Sequence, residues 1–203
     1  LAKRHCRSQV ACRLPIASCL APPPASLIKQ RKPNMISTDY VQTMAAYNRW
    51  QNSSLYAAAA TLSNAERKQE RGAFFGSIPG TLNHIVWVDR LWLSRFTPAP
   101  PPAVSMMAET PKMYPEWGSL VEARNACDDD IDSWSLGLDT AWLAGELTWV
   151  SAALKQEFTT PLWQLVTHMF NHQTHHRGQV HSMLTAAGAR PDDTDIPFMP
   201  NSN

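Results

Sequence analysis

The stretch LWQLVTHMFNHQTHHRGQVHSMLTAA, residues 162–187, decides the fold of this chain. Its apolar residues recur at spacings of three and four, which is the period of an amphipathic α-helix. Thr159 or Thr160 is the candidate N-cap, Pro161 falls in the first turn, and Gly188 suits a left-handed stop. The pattern therefore predicts a long helix that buries one face. That face holds Leu162, Leu165, Met169, Val180, Met183 and Ala187.

Three further amphipathic helices are predicted upstream, with a short helical turn over residues 64–70 after the first of them. Six prolines between residues 97 and 115 exclude a regular helix there and predict a long loop. Together with the last helix, the pattern predicts an all-α protein, a four-helix bundle. The predicted bounds are Ser37 or Thr38 to about residue 62, Gly80–Arg95 and Glu116–Leu136.

The third helix and the segment that follows it differ in their sequence patterns. The third helix carries an apolar stripe that includes Cys127, and its acidic residues Asp128, Asp129, Asp130 and Asp132 are expected to face water. Residues 145–159 alternate in polarity more than they follow a helical period, which predicts a small β-hairpin or extended excursion before the last helix. The bundle domain is assigned to residues 35–190, followed by an extended tail over 191–203.

Charge is distributed unevenly along the 203 residues, although the formal net charge is only +1. Residues 1–34 carry seven basic residues and no acidic one, whereas the rest holds 11 basic and 17 acidic residues, a formal charge of −6. An acidic domain argues against nucleic acid as a partner. No apolar run of about 18 residues is present, so no membrane-spanning helix is expected.

The first 34 residues are predicted to be a disordered or non-native extension ahead of a start at Met35. An organelle presequence is the alternative, because the segment is basic and lacks acids. A lipoprotein signal ending at Cys19 is excluded, since only five residues separate Arg13 from Cys19. A lone Cys127 in the remainder predicts a reduced, cytoplasmic protein.

Histidines mark the candidate functional site. His168, His172, His175 and His176 fall within nine residues of the last helix, and the pair at 172 and 176 lies one turn apart on its apolar face. His84 is on an apolar face of the second predicted helix. Three imidazoles from two helices, without a fourth protein ligand, are typical of a catalytic metal site with an open position. The alternative is a set of hydrogen-bonded core or surface histidines without metal.

Three strings resemble the motifs of the DinB/YfiT-like metalloenzyme family, in the family's order. They are NHQTHHRGQV at 171–180, LNHIVWVD at 82–89 and the weaker YNRW at 47–50. The resemblance covers about residues 35–188. It implies a four-helix bundle with up-down-down-up connectivity, which accounts for the long loop after the second helix. It also implies a metal triad formed by His84, His172 and His176.

The resemblance implies a divalent metal cation, zinc or nickel first, and thiol-dependent transferase chemistry or hydrolysis on a small-molecule substrate. The thiol would be a low-molecular-weight one, and a homodimer is expected. Metal affinity is expected to fall below about pH 6, where an ordinary histidine becomes protonated. His175, Gln179 and Asn48 are candidate contacts around the ligands.

The sequence is also compatible with two rival functions. Members of the family are often called damage-inducible, which describes gene induction and indicates no DNA chemistry. The first rival is therefore a non-catalytic, stress-responsive bundle that binds a metal or small ligand. The second is a purely structural bundle whose histidines bind no metal.

Overall fold

The computed structural model describes residues 36–151 and 154–200. The predicted extension over 1–34 and the start at Met35 lie outside these residues. The described part is all-α with one two-stranded hairpin, as predicted. Its elements are α1 Thr38–Ala60, α2 Asn64–Lys68, α3 Ile78–Phe96, α4 Trp117–Leu136, α5 Thr140–Leu143, β1 Glu146–Ser151, β2 Gln156–Pro161 and α6 Leu162–Ala186.

The helix ends follow local capping rules. The Ser37 hydroxyl accepts a hydrogen bond from the backbone N–H of Tyr40 at 3.1 Å and so starts α1. Ser77 caps α3 in the same way through the N–H of Gly80. At the end of α6, Gly188 has φ +84°, the left-handed conformation that glycine adopts without strain. The predicted start of the first helix and the predicted glycine stop are confirmed.

Four long helices form the bundle, with α1 and α3 each packed against α4 and α6. Asn48 contacts Asp128 while Tyr56, later in α1, stacks on the earlier Trp117. Helices α1 and α4 are therefore antiparallel.

Side-chain contacts also give the relative directions of α3, α4 and α6. Asp89 pairs with Arg124 and Phe96 stacks on Trp134, so α3 and α4 run parallel. His84 contacts His172 whereas Trp92, further along α3, contacts His168, so α3 and α6 are antiparallel. The connectivity is up-down-down-up, as the family resemblance implied.

Parallel α3 and α4 require a connection that returns along the bundle, and residues 97–116 provide it. A long loop was predicted for this segment, but it also contains a 3₁₀-helix, Met107–Lys112. The helix packs against α3 and buries Thr110 completely. Of the six prolines, Pro111 alone lies inside this 3₁₀-helix.

The hairpin confirms the predicted excursion, but it also changes the start of the last helix. Thr159 and Thr160 were predicted to cap that helix, with Pro161 in its first turn. All three instead belong to β2, where Pro161 pairs with Glu146. The indole N–H of Trp149 on β1 donates to the Thr160 hydroxyl at 3.1 Å, and no side chain caps the start of α6.

The prediction that the acidic run of α4 faces water is wrong for Asp128. This side chain is 3% exposed, and Oδ1 accepts hydrogen bonds from the side-chain amides of Asn48 and Asn52 at 3.1 and 3.0 Å. The Arg124 guanidinium lies 2.8 Å from it, too poorly aligned for a hydrogen bond but close enough for an ion pair. Asp129 and Asp130 are exposed, as predicted.

The tail after α6 returns along α1. It contains one 3₁₀ turn, Ile196–Phe198, in a segment predicted to be extended. Tyr47 donates from Oη to the Thr194 carbonyl at 2.7 Å, and the Gln51 amide donates to the Asp193 carbonyl at 2.9 Å. These bonds hold the tail beside α1.

Candidate metal centre

Helices α3 and α6 bring His84, His172 and His176 together. The Nε2 atoms of His84 and His172 are 3.3 Å apart, and one ligand atom from each of the three histidines lies within 4.8 Å of the others. Zinc–nitrogen bonds of about 2.0–2.1 Å at tetrahedral angles separate two nitrogens by about 3.3 Å. One edge of the triangle thus already has the spacing of a metal site, and the third ring is close to it.

Burial keeps these imidazoles neutral. His84 is 3% and His176 8% exposed, and His172 is half-buried. Desolvation lowers the pKa of His84 and of His172 to about 3, and it also lowers the pKa of His176. The expected loss of affinity below about pH 6 assumed an ordinary histidine. In the folded protein the proton competes with a metal only at lower pH.

Thr110 fixes the orientation of the His84 ring. Its hydroxyl donates to the Met107 carbonyl at 2.9 Å, so its oxygen is left to accept from Nδ1–H of His84, 3.3 Å away. With the proton on Nδ1, the lone pair of His84 is on Nε2, the atom that faces His172. Ligand histidines in metal sites are commonly oriented by such a bond from the other ring nitrogen.

Gln179 orients His176 in the same way. Its side-chain carbonyl lies 2.8 Å from Nδ1 of His176, which places the proton on Nδ1 and the lone pair on Nε2. The amide group of Gln179 donates to Nε2 of His175 at 3.3 Å. The structure therefore places Gln179 directly behind His176, with the exposed His175 behind Gln179.

The Nδ1 atom of His172 is buried and has no hydrogen-bond partner among the described residues. Its Nε2 atom faces Nε2 of His84, which carries a lone pair. Buried polar atoms are rarely left unpaired in proteins. The donor set is three neutral imidazoles, of which His84 and His176 carry the lone pair on Nε2, and it fits a divalent transition metal.

Aromatic rings border the three histidines. Phe75, in the segment between α2 and α3, stacks on the His84 ring at a centroid distance of 3.8 Å and lies 5.5 Å from the His176 ring. Phe74 beside it is 75% exposed. Neither Phe75 nor Thr110 was predicted as a site residue. The aromatic pair between Gly72 and Gly76 was the available signal for Phe75.

Asn48 does not join this group. It is completely buried, donates to Asp128 at 3.1 Å and accepts from the Arg177 guanidinium. The structure thus places this candidate in a polar network between α1, α4 and α6. Arg177 points away from the histidines into this network, is 5% exposed and forms no ion pair among the described residues.

No fourth histidine, cysteine or carboxylate joins the three histidines within the described part of the chain. Cys127 is buried in the core, and burial raises the pKa of its thiol to about 12. It therefore remains a protonated, inaccessible thiol near neutral pH.

Comparison with known proteins agrees with this architecture. The model of the DinB family matches residues 35–203. This chain belongs to the DinB family. Protein DinB of Bacillus subtilis (strain 168) is 24% identical over 158 residues, which cover 78% of this chain and 92% of that protein. No solved structure gives a significant match to this DinB-family chain.

The long helices of this DinB-family protein are amphipathic. Within the described residues, no helix combines the length and the apolar character needed to cross a bilayer. The prediction that no helix spans a membrane is confirmed for this part of the chain.

Proposed function

We propose that this DinB-family protein is a metal-dependent enzyme, with zinc or nickel held by His84, His172 and His176. The observation that carries the proposal is the convergence of the three imidazoles, two of them with their outer nitrogen hydrogen-bonded by Thr110 or Gln179. Such outer bonds are typical of metal sites. A histidine cluster that serves only packing does not need its ring orientations fixed by such hydrogen bonds.

A divalent ion at three nitrogen ligands lowers the pKa of a water or thiol at its open position and so supplies a nucleophile near neutral pH. The residues of this chain orient the ligands and limit the access of water. Phe75 covers one side of His84, so a substrate would approach from another side. The reaction classes that fit are transfer of a thiol to an electrophilic substrate and hydrolysis.

The described part of the chain offers no reactive thiol for the first class. Cys127 is excluded as the nucleophile by its burial and by a thiol pKa of about 12. A low-molecular-weight thiol and a small electrophilic molecule are therefore the proposed substrates. A cytoplasmic location and a homodimer remain predictions, and light scattering of the purified protein tests the second.

Metal analysis of protein purified without a histidine tag tests the first part of the proposal. We expect about one divalent ion per chain in the unaltered protein and a loss of it in the double variant His172→Ala/His176→Ala. His168→Ala is the matched control, because His168 lies on the same helix outside the group of three. Negligible metal in all three proteins would contradict the metal site.

Turnover tests the second part. Metal-loaded protein is assayed with a panel of thiols and electrophiles and with ester and amide substrates. Turnover that disappears in the double variant and persists in His168→Ala supports an enzyme. Stoichiometric metal without turnover on any substrate would instead favour the alternative, a bundle that binds a metal or small ligand without catalysis.

A further inference from the structure

A cavity lies on the other side of α6 from the histidines. It has a volume of about 510 Å³ and is formed by α1, α6 and the C-terminal tail. Tyr47, Gln51 and Arg177 line its buried floor, and Thr174, His181 and Thr194 are among the residues of its walls. Pockets of this size hold small organic molecules. None of the described lining residues is acidic.

Arg177 gives this cavity its chemistry. The side chain is 5% exposed, and its guanidinium donates to the Asn48 side-chain carbonyl and to the Thr174 hydroxyl. It also lies over the Tyr47 ring, 5.5 Å from the centroid. A guanidinium has five N–H donors, so most of them have no acceptor among the described residues.

The carboxylates that act electrostatically on Arg177 are those of Asp89 and Asp128, and both already have other partners. Asp89 accepts from Arg124 at 2.7 Å and from Gln173 at 2.9 Å. Asp128 pairs with Arg124 and accepts from two asparagine amides. Arginine is seldom buried without a paired anion. In the described part of this chain, the positive charge of Arg177 has neutral hydrogen-bond acceptors and no ion pair.

Gly178 borders free space in the wall of the cavity. It lies in the middle of α6 and lines the cavity, and a Cβ atom added to it would meet nothing within 4 Å. Neither a positive φ nor a close approach of another chain segment requires glycine here. A larger side chain at this position therefore has room to extend into the cavity.

We propose that this cavity binds a small organic anion, with its carboxylate or phosphate group held by Arg177. The oxygens of such a group match the planar donor pattern of a guanidinium. The Thr174 hydroxyl already donates to the Phe170 carbonyl, so further donors come from the hydroxyl groups of Ser182 and Thr194. The Tyr47 ring provides an apolar surface for the rest of the molecule. The site is separate from the metal centre and does not depend on the proposed activity.

Isothermal titration calorimetry with metal-free protein tests the proposal, because no metal is then available to the anion. The probes are sodium benzoate and inorganic phosphate at constant ionic strength, and neutral benzamide is the control. We expect at least one anion to bind at millimolar concentration or below and benzamide to bind much more weakly. A response to benzoate alone indicates a carboxylate ligand, and a response to phosphate alone indicates a phosphate ligand.

Variants at two positions locate the binding. Gly178→Leu fills the cavity from a position with free space, and we expect it to weaken anion binding about tenfold or more. Gly178→Ala is the matched control and should leave the affinity within about threefold. Arg177→Gln should also weaken binding about tenfold or more, as expected for the loss of charged hydrogen bonds, with circular dichroism as a check of folding.

Two results would overturn the proposal. The first is the absence of any binding of benzoate and phosphate to the unaltered protein. The second is binding that Gly178→Leu leaves unchanged, since the anion would then lie elsewhere. Because Gly178→Leu introduces a strong helix former into α6, this second test stands even if Arg177→Gln fails to fold. The variant His172→Ala should bind the anion normally, which separates this site from the metal centre.

Discussion

The hydroxyl oxygen of Thr110 lies 3.3 Å from Nδ1 of His84, which joins the connection between α3 and α4 to the candidate metal centre. Thr110 is completely buried and is held by its own hydrogen bond to the Met107 carbonyl. The position of a loop residue therefore determines which nitrogen of a helix residue is free to bind a metal.

Thr110→Val should weaken metal binding. Valine has nearly the shape of threonine but cannot accept the proton of His84 Nδ1, and loss of such an outer bond commonly costs about 10–100-fold in metal affinity. Competition with a chromophoric chelator measures the change. Thr110→Ser keeps the hydroxyl and should retain most of the affinity. Equal affinities in the two variants would contradict the orienting role.

Stability of the metal-free protein should depend on pH through the buried histidines. The pKa of His84 and of His172 is about 3 in the folded protein, against about 6.5 in an unfolded chain. Between these values the unfolded chain binds protons that the folded protein does not. The free energy of unfolding should therefore fall as the pH is lowered from about 6.5 towards 3.

Urea unfolding at pH 7 and pH 5 measures this dependence. His172→Gln removes one of the two groups and should lose less stability between these pH values than the unaltered protein. The exposed His175 on the same helix provides the control variant His175→Gln. If His172→Gln loses as much stability as the unaltered protein, burial of the imidazole is not the cause.

Asp128 and Asp129 are neighbours in α4 with very different surroundings, and their replacement should have very different costs. Asp128→Ala leaves the buried Arg124 with one carboxylate fewer, and breaking a buried ion pair commonly costs about 3–5 kcal/mol. Asp129→Ala removes an exposed pair with Arg49, worth about 0–1 kcal/mol. Urea unfolding compares the two variants. Similar losses would show that Asp128 is not part of a buried network.

Two glycines near the end of the chain should respond to alanine with opposite signs. Gly178→Ala should stabilise the protein by about 1 kcal/mol, because α6 gains a better helix former and the new methyl group meets no atom within 4 Å. Gly188→Ala should destabilise it by about 1–2 kcal/mol, because φ is +84° at this position. Thermal unfolding measures both, and a destabilised Gly178→Ala would contradict the open space.

The bundle was predictable because its signals are local or periodic. The spacing of Leu165, Met169 and Val180 predicts a buried helix face, and Ser37 and Gly188 mark helix ends by their own chemistry. His172 and His176 could be paired because one helical turn separates them. His84 is far away in sequence, but its place on an apolar helix face made it the candidate third ligand, and the family motifs agreed with that choice.

The remaining features depend on contacts between distant segments. Asp128 is in an acidic run that suggests a solvated surface, and only the position of Arg124 beside the two asparagines of α1 explains its burial. Thr160 is of a residue type that often caps helices, but it lies in β2 and its hydroxyl accepts a hydrogen bond from Trp149 on the neighbouring strand. Thr110 lies in a proline-rich segment without periodicity, so its approach to His84 could not be read from the sequence.

The parallel arrangement of α3 and α4 has an evolutionary consequence. A crossover must run back along the bundle, and here the same crossover delivers the hydroxyl that sets the protonation of His84. Substitutions or changes of length in this segment can alter the basicity of a ligand without disturbing the packed interfaces of the four long helices. Related proteins can therefore acquire new reactivity through changes in this connecting segment while the packing of the four long helices is preserved.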